Sequence, residues 1–138
     1  IACAFAISKA MVNSGVADAV ARFIIGMSHH YGPHVLLAAV FIITNLFTEL
    51  ITNNAAAALA FPLALSISSQ MGVSPMPFFV VICMAASARF STPIGYQTNL
   101  IVQGIGNYKF TDFVRIGLPL NIITFLISIF LIPLIWPF

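Results

Sequence analysis

A short polar stretch, residues 48–58, lies between two apolar runs at 35–47 and 55–67, and neither run carries a charge. It contains a carboxylate, two threonines and the adjacent amides Asn53 and Asn54. Polar groups at membrane depth are tolerated mainly where they face protein, water or a ligand. Because asparagine accepts left-handed backbone and caps helices, the pair predicts a sharp break between two helices. The N-terminus of the second helix would favour an anion.

The composition places this chain in a membrane. Of the 138 residues, 61% are hydrophobic and 6% are charged, and the mean hydropathy is +1.09, whereas soluble domains carry about 25% charged residues. The net charge of +2 is too small for a nucleic-acid surface. We therefore expect an all-α membrane protein in a lipid bilayer, with no nucleic-acid partner. Because Ile1 lies inside an apolar run, we expect a piece of a longer membrane protein.

Apolar runs and turn signals outline the remaining elements. Residues 1–12 resemble the end of a spanning helix, and 16–28 form an amphipathic helix that suits the membrane interface better than a short span. The arms 35–50 and 55–70 are each about 24 Å long as helices, which is short for a full crossing. We favour a re-entrant hairpin, with two complete crossings as the alternative, and a last span over 116–136.

A second polar interruption lies at 91–98, between an alanine-rich helix and a short apolar run. Its Thr-Pro pair, glycine and glutamine predict a discontinuous helix that is wound to residue 90 and resumes near Asn99. The helix after the first break is expected to begin at Ala55. Each break then presents a helix N-terminus, and each leaves unpaired carbonyls on the preceding turn, which suit Na⁺. Two such breaks indicate the substrate site of a transporter.

The start of the last helix gives the orientation. Thr111 is the predicted N-cap and Asp112 lies in the first turn. Lys109 and Arg115 lie on the same side, so the positive-inside rule places 106–115 in the cytoplasm. The central break is then expected to open from the outside.

Two charges, Glu49 and Arg89, each lie one turn before a break. An intramembrane charge indicates function by default. We interpret them as two opposite charges that neutralise each other between the hairpin and the broken helix. The alternatives are that Arg89 attracts the anion or that it reaches other polar surroundings. For Tyr96 and Gln97, loop packing and ligand binding both remain open.

Three segments resemble the divalent-anion/sodium symporter (DASS) family. Residues 48–55 are similar to its Ser-Asn-Thr signature, 91–102 to its second broken-helix loop, and 106–117 to its run into the last helix. The resemblance implies that 1–138 is a single transmembrane unit, the C-terminal one of two inverted repeats. The N-terminal repeat of the same permease would then be a missing partner.

The resemblance also implies an architecture, a homodimer and a location in a bacterial inner (plasma) membrane. It assigns 1–13 to the end of a span, 15–29 to an interfacial helix, 35–70 to a re-entrant hairpin, 77–105 to a broken helix and 112–136 to the last span.

The family's roles carry over to residues at the two breaks. The signature triplet is Thr52, Asn53 and Asn54, although Asn54 stands where the family usually has threonine. The resemblance assigns the substrate anion to Asn53, Asn54, Thr92, Pro93 and Asn99, and the sodium ion to Thr52, Asn53, Ser91 and Thr92. Sodium is expected as the coupling ion, with no organic cofactor and no catalytic residue.

The loop at 94–98 is longer than in carboxylate carriers that read Thr-Pro-Pro-Asn. This longer form resembles the sulfate-type branch, so sulfate or a similar oxyanion is favoured over dicarboxylates such as succinate. We expect part of a secondary active transporter that carries divalent anions with sodium. The alternatives are a proton-coupled carrier of the wider ion-transporter superfamily and an anion channel. An enzyme is disfavoured, because all three histidines lie in one predicted interfacial loop and no serine has a histidine partner.

Overall fold

The computed structural model describes residues 2–27 and 32–138. These residues contain no β-strand, and the all-α prediction is confirmed for them. In chain order the helices are α1 (Ala2–Asn13), α2 (Val16–Met27), α3 (Pro33–Leu50), α4 (Asn53–Met71), α5 (Met76–Ser87), α6 (Gln97–Gly106) and α7 (Phe110–Ile135).

Among the described helices, α3 and α7 are long and apolar enough to cross a membrane, with mean hydropathies of 1.6 and 2.4 over 18 residues. At 1.5 Å per residue α3 is about 27 Å long, close to the roughly 30 Å of a bilayer's hydrocarbon core. Large apolar side chains cover the outside of α7, and Ile116, Phe130 and Leu134 are all more than 70% exposed. Such a surface suits contact with lipid.

The core lies between α3, α4 and α5, where Phe41, Ile67 and Phe78 are fully buried. Three buried alanines, spaced by four residues, line one face of α4: Ala56, Ala60 and Ala64. Small residues at this spacing allow helices in a membrane to approach closely. α1 and α2 pack against α4, and α7 packs against α3 and α5, so the two arms around the first break form the centre of the fold.

Helix α6 packs against no other helix of residues 2–27 and 32–138. A groove of about 820 Å³, lined by residues of both helices, lies between α6 and α7. Closer to the core, α7 approaches the main chain after α5 at Gly117. A Cβ atom at Gly117 would lie 2.0 Å from the carbonyl oxygen of Phe90, so only glycine fits there.

Two predicted helix starts are wrong, and capping explains both. α4 begins at Asn53 rather than Ala55, because Thr52 is the N-cap and its Oγ1 accepts a hydrogen bond from the Ala55 N–H at 3.4 Å. α7 begins at Phe110, which excludes Thr111 as the N-cap. Lys109 takes that position, and its N–H donates to Oδ2 of Asp112 at 2.9 Å, as in a capping box.

The second break is wider than predicted. α5 ends at Ser87 instead of residue 90, and α6 resumes at Gln97 instead of near Asn99. Pro93 cannot donate a helical hydrogen bond and disfavours helical backbone in the residue before it. The predicted interfacial helix 15–29 corresponds to α2, although its residues 28 and 29 lie outside the described part of the chain.

Candidate functional site

The two breaks in the helices lie side by side. Asn53, the first residue of α4, donates from Nδ2 to the hydroxyl of Tyr96 at 2.9 Å. Oδ1 of Asn53 accepts from Nη1 of Arg89 at 3.4 Å, and the hydroxyl oxygen of Thr48 lies 3.0 Å from it. One asparagine side chain therefore joins the end of α3, the start of α4 and both sides of the second break.

A polar cavity of about 390 Å³ opens between the breaks. It is bounded by the N-termini of α4 and α6, whose first N–H groups have no acceptor within a helix. In the described chain, no protein group accepts a hydrogen bond from the N–H of Asn53, Asn54, Gln97 or Thr98. Two helix N-termini carry partial positive charge toward one space, which favours a negatively charged ligand. The cavity is lined by Thr52, Asn53, Asn54, Arg89, Gly95, Tyr96, Gln97 and Thr98.

The last carbonyls of α5 are not free, contrary to the sequence-based expectation. Asn45 on α3 donates from Nδ2 to the carbonyls of Ala88 and, at 3.4 Å, Ala85. The hydroxyl of Thr48 donates to the carbonyl of Ala86 at 2.7 Å. These side chains take the acceptors that a broken helix would otherwise leave open, so they fix α5 to α3.

Glu49 has three hydrogen-bond donors around its carboxylate. The N–H of Ser91 and Nδ2 of Asn121 each lie 3.1 Å from Oε1, and the hydroxyl of Thr92 lies 2.7 Å from Oε2. Nδ2 of Asn121 also donates to Oγ of Ser91 at 2.8 Å. Within the described residues, Glu49 and Arg89 form no direct ion pair. Each side chain has other hydrogen-bond partners, and the neutralisation of one charge by the other stays a prediction.

The family model described as a citrate transporter matches residues 1–138. The chain belongs to the citrate transporter family. The family prediction made from the sequence is confirmed, and membership of a transporter family identifies an integral membrane protein.

Three relatives illustrate the range of similarity. An uncharacterized transporter of Escherichia coli (strain K12) is 43% identical over 91% of this chain and 20% of its own length. Probable sodium/sulfate cotransporter 3 of Chlamydomonas reinhardtii is 38% identical over 96% of this chain and 15% of its own length. The Na⁺/citrate cotransporter of Rattus norvegicus is 29% identical over 86% of this chain and 21% of its own length. The chain thus spans about a fifth of the length of the curated relatives that it matches.

The structure divides the residues predicted from the family resemblance among four places, two of which hold several residues each. Thr52, Asn53 and Asn54 line the polar cavity, and Arg89 lines it with them. Ser91 and Thr92 lie against Glu49 instead, on the side that faces α7.

Two predicted substrate ligands lie away from the polar cavity. Pro93 is fully buried, so its ring shapes the loop and does not face the cavity. Asn99 lines the groove between α6 and α7, and its Nδ2 donates to the carbonyl of Thr92 at 3.4 Å. Of the five residues that the resemblance assigns to the substrate, only Asn53 and Asn54 line the polar cavity.

Three residues that line the polar cavity or contact Glu49 were not predicted from the sequence. Asn121 is an amide inside an apolar run, a signal that by itself indicates a buried partner in a membrane helix. Gly95 is buried at the cavity wall, and a Cβ atom there would lie 2.8 Å from Cγ of Arg89. No sequence signal distinguishes Thr98, which is an exposed residue in the first turn of α6.

Proposed function

We propose that this chain is the C-terminal repeat of a sodium-coupled symporter for divalent anions, with sulfate or a similar oxyanion as substrate. The observation that carries the proposal is the polar cavity, where two helix N-termini and the Arg89 guanidinium meet. These groups supply positive charge in an apolar surrounding, where electrostatic interactions are strong.

The anion is proposed to bind in this cavity, against the unpaired N–H groups of α4 and α6. Asn53 and Asn54 at α4 contribute through their main chain, and Thr52 and Asn54 add side-chain polar groups at the rim. Half-helix N-termini that point at an anionic group are a recurrent arrangement in secondary transporters. The first repeat would supply the opposite wall.

Sulfate is favoured over larger carboxylates for two reasons. The loop at 94–98, which lines one side of the cavity, is longer than the Thr-Pro-Pro-Asn form of carboxylate carriers and resembles that of the sulfate-type branch. Relatives named as sodium/sulfate cotransporters are 37–38% identical to this chain, against 29% for the relative named as a Na⁺/citrate cotransporter.

Sodium is proposed to bind on the Glu49 side of the second break. Oxygen atoms of Glu49, Ser91 and Thr92 gather there, and the carboxylate supplies negative charge. Oδ1 of Asn121 is buried there and has no hydrogen-bond partner among the described residues. It therefore offers the cation one more oxygen ligand. Oδ1 of Asn53 is less suitable, because it lies 3.4 Å from Nη1 of Arg89.

In the membrane, we propose that α3 and α4 form a re-entrant hairpin, that α2 lies at the interface, and that α7 is a full span. The break between α3 and α4 opens to the outside. The complete permease would contain a first, inverted repeat and assemble as a homodimer in a bacterial inner membrane. Positive residues near the start of α7, Lys109 and Arg115, favour the cytoplasm for that end.

The proposed mechanism is secondary active transport without covalent chemistry. Sodium orders the second break through Glu49, Ser91 and Thr92, and it reduces the electrostatic cost of moving the anion. The hairpin and the broken helix then move as one body, because Asn45 and Thr48 join α3 to the end of α5. The anion crosses the membrane when this body moves relative to the rest of the protein.

A second candidate function is proton-coupled anion transport, which Glu49 favours. It is an intramembrane carboxylate with a hydroxyl and two N–H donors around it, and such groups serve as proton relays in membrane carriers. In this case a proton on Glu49 would replace sodium as the coupling ion.

Flux into liposomes by the full-length transporter tests both candidates. We expect saturable sulfate uptake against a gradient that requires Na⁺, is lost when choline replaces Na⁺, and is inhibited more by excess sulfate than by succinate or citrate. Uptake driven by a pH gradient in choline would favour proton coupling. Passive flux that neither gradient drives would indicate a channel, and no anion flux at all would overturn the proposed function.

A further inference from the structure

Arg89 has an unusual environment for an arginine. It is only 6% exposed, yet it makes one side-chain hydrogen bond with the described residues, from Nη1 to Oδ1 of Asn53 at 3.4 Å. Its Nε atom is buried without a partner there. A guanidinium has five N–H donors, and leaving them unpaired in an apolar surrounding is costly. The structure therefore contains a buried positive charge whose hydrogen-bonding capacity is largely unused.

Within residues 2–27 and 32–138, no carboxylate contacts this charge. The nearest candidate in the chain, Glu49, has its oxygens taken up by Ser91, Thr92 and Asn121 rather than by Arg89. Arg89 instead lines the polar cavity between the N-termini of α4 and α6. Arg89 is the only charged side chain among the described residues that line this cavity, and its positive charge adds to that of the two helix N-termini.

The surrounding residues hold the guanidinium at the cavity. Gly95 packs against the stem of Arg89, since a Cβ atom at Gly95 would lie 2.8 Å from Cγ and 3.0 Å from Nε. Asn53 accepts the hydrogen bond from Nη1, and its own Nδ2 is taken by the hydroxyl of Tyr96. Because Oδ1 of Asn53 accepts from Arg89 and one Nδ2–H donates to Tyr96, this side chain positions the guanidinium, and the second Nδ2–H has no protein acceptor among the described residues.

We propose that Arg89 is the anion-binding charge of this cavity, and that Asn53 and Gly95 are positioning residues that hold its guanidinium there. The ligand class is a compact oxyanion with at least two oxygen atoms, since the planar guanidinium matches such anions in geometry. The proposal deepens the proposed function, on which it rests, by naming the side chain that supplies the counter-charge.

Equilibrium binding of radioactive sulfate to the purified full-length transporter, with Na⁺ present, tests the assignment. Arg89→Gln is expected to weaken sulfate binding roughly 10- to 100-fold, as expected for loss of charged hydrogen bonds. Arg89→Lys keeps the charge but not the planar fork and should give an intermediate loss. Na⁺ binding in the absence of sulfate should be unchanged in both variants.

Each outcome decides a separate point. No Na⁺-dependent sulfate binding by the unmodified protein overturns the proposed function. Sulfate binding by that protein together with unchanged affinity in Arg89→Gln overturns the role of Arg89 alone. If the double variant Glu49→Gln/Arg89→Gln regains the affinity that Arg89→Gln loses, Arg89 serves to neutralise Glu49, which also overturns this role. We expect the double variant to remain as weak as Arg89→Gln or weaker.

Gly95→Ala provides an independent test in which Arg89 itself is retained. The added methyl group should displace the guanidinium from the cavity and weaken sulfate binding about tenfold, with Na⁺ binding retained. Gly104→Ala is the matched control, because a Cβ atom there meets nothing within 4 Å. If Gly95→Ala and Gly104→Ala bind sulfate equally well, the positioning role of Gly95 and the placement of Arg89 that depends on it are wrong.

Discussion

Asn121, on α7, donates a hydrogen bond from Nδ2 to Oε1 of Glu49 at the end of α3, over 3.1 Å. The same amide donates to Oγ of Ser91 at 2.8 Å. The long apolar helix α7 is thereby tied by one side chain to both breaks. A carboxylate in an apolar surrounding requires such donors, because burying it without them is costly.

Asn121→Leu should lower the free energy of unfolding by about 1–3 kcal/mol, because Glu49 loses one of its donors inside the protein. The loss should appear as a lower Tm of the purified protein in detergent. Thr124→Val on the same helix is the control, since Thr124 donates only to the carbonyl of Leu120 within α7. We expect it to change stability by less than about 0.5 kcal/mol. Equal shifts in the two variants would contradict the role of Asn121.

Thr48→Val should destabilise the protein by about 1–3 kcal/mol, because the buried carbonyl of Ala86 loses its donor. Thr44→Val provides a close comparison on the same helix. Both threonines are fully buried, but Thr44 donates only to the carbonyl of Val40 in its own helix, at 2.7 Å. Chemical unfolding of both variants should show the larger loss of unfolding free energy for Thr48→Val. A larger loss of unfolding free energy for Thr44→Val would argue against a specific link between α3 and α5.

Gly117→Ala should force α7 away from the main chain of Phe90, because the new Cβ atom would lie 2.0 Å from a carbonyl oxygen that cannot rotate aside. Overpacking of this kind costs about 1–3 kcal/mol or more. The shift should also move Asn121 away from Glu49, so Na⁺ binding at the proposed site in the full-length transporter should weaken together with stability. Gly104→Ala serves as the control, and similar thermal unfolding curves for the two variants would mean that α7 is not held closely at Gly117.

Ser66→Ala should loosen α2 from the hairpin. The hydroxyl of Ser66 on α4 donates to Oδ1 of Asp18 on α2, and Nε2 of Gln70 donates to Oγ of Ser66 at 2.9 Å. Loss of a hydrogen bond to a charged acceptor costs roughly 1.5–3 kcal/mol. Amide hydrogen exchange in α2 should therefore become faster, while exchange in α5 should change little.

The buried residue Ser68 gives the control for this experiment. Its hydroxyl donates only within α4, to the carbonyl of Leu65 at 2.9 Å. Ser68→Ala should leave exchange in α2 unchanged. If both serine variants accelerate exchange in α2 equally, the contact between Ser66 and Asp18 is not what holds α2 against α4.

Local sequence chemistry predicted the breaks but not their partners. The asparagine pair and the Thr-Pro loop mark where helices are interrupted, because capping and proline act within a few residues. The donors around Glu49 come from residues 42, 43 and 72 positions away, so only the packing of α3 against α5 and α7 brings them together. Local spacing could not show that these donors, rather than Arg89, surround the carboxylate.

Helix ends were predicted to within a few residues, and the errors share a cause. Thr52 caps α4 although asparagine, the stronger N-cap by preference, follows it directly. At α7, the main-chain N–H of Lys109 donates to the carboxylate of Asp112. A prediction that considers only the side chain at the N-cap position does not detect this bond. In both places the observed cap lies two residues before the expected one: Thr52 before Asn54, and Lys109 before Thr111.

The bonds from Asn45 and Thr48 to the end of α5 have a mechanical consequence for the polar cavity. They hold the main chain just before Arg89 against α3, whereas α6 packs against none of the other described helices. The cavity therefore has one braced side, formed by the start of α4 and Arg89, and one unbraced side, formed by the start of α6. A change in its width has to come from α6 and the loop before it, and we expect that loosening the bonds from Asn45 and Thr48 removes this asymmetry.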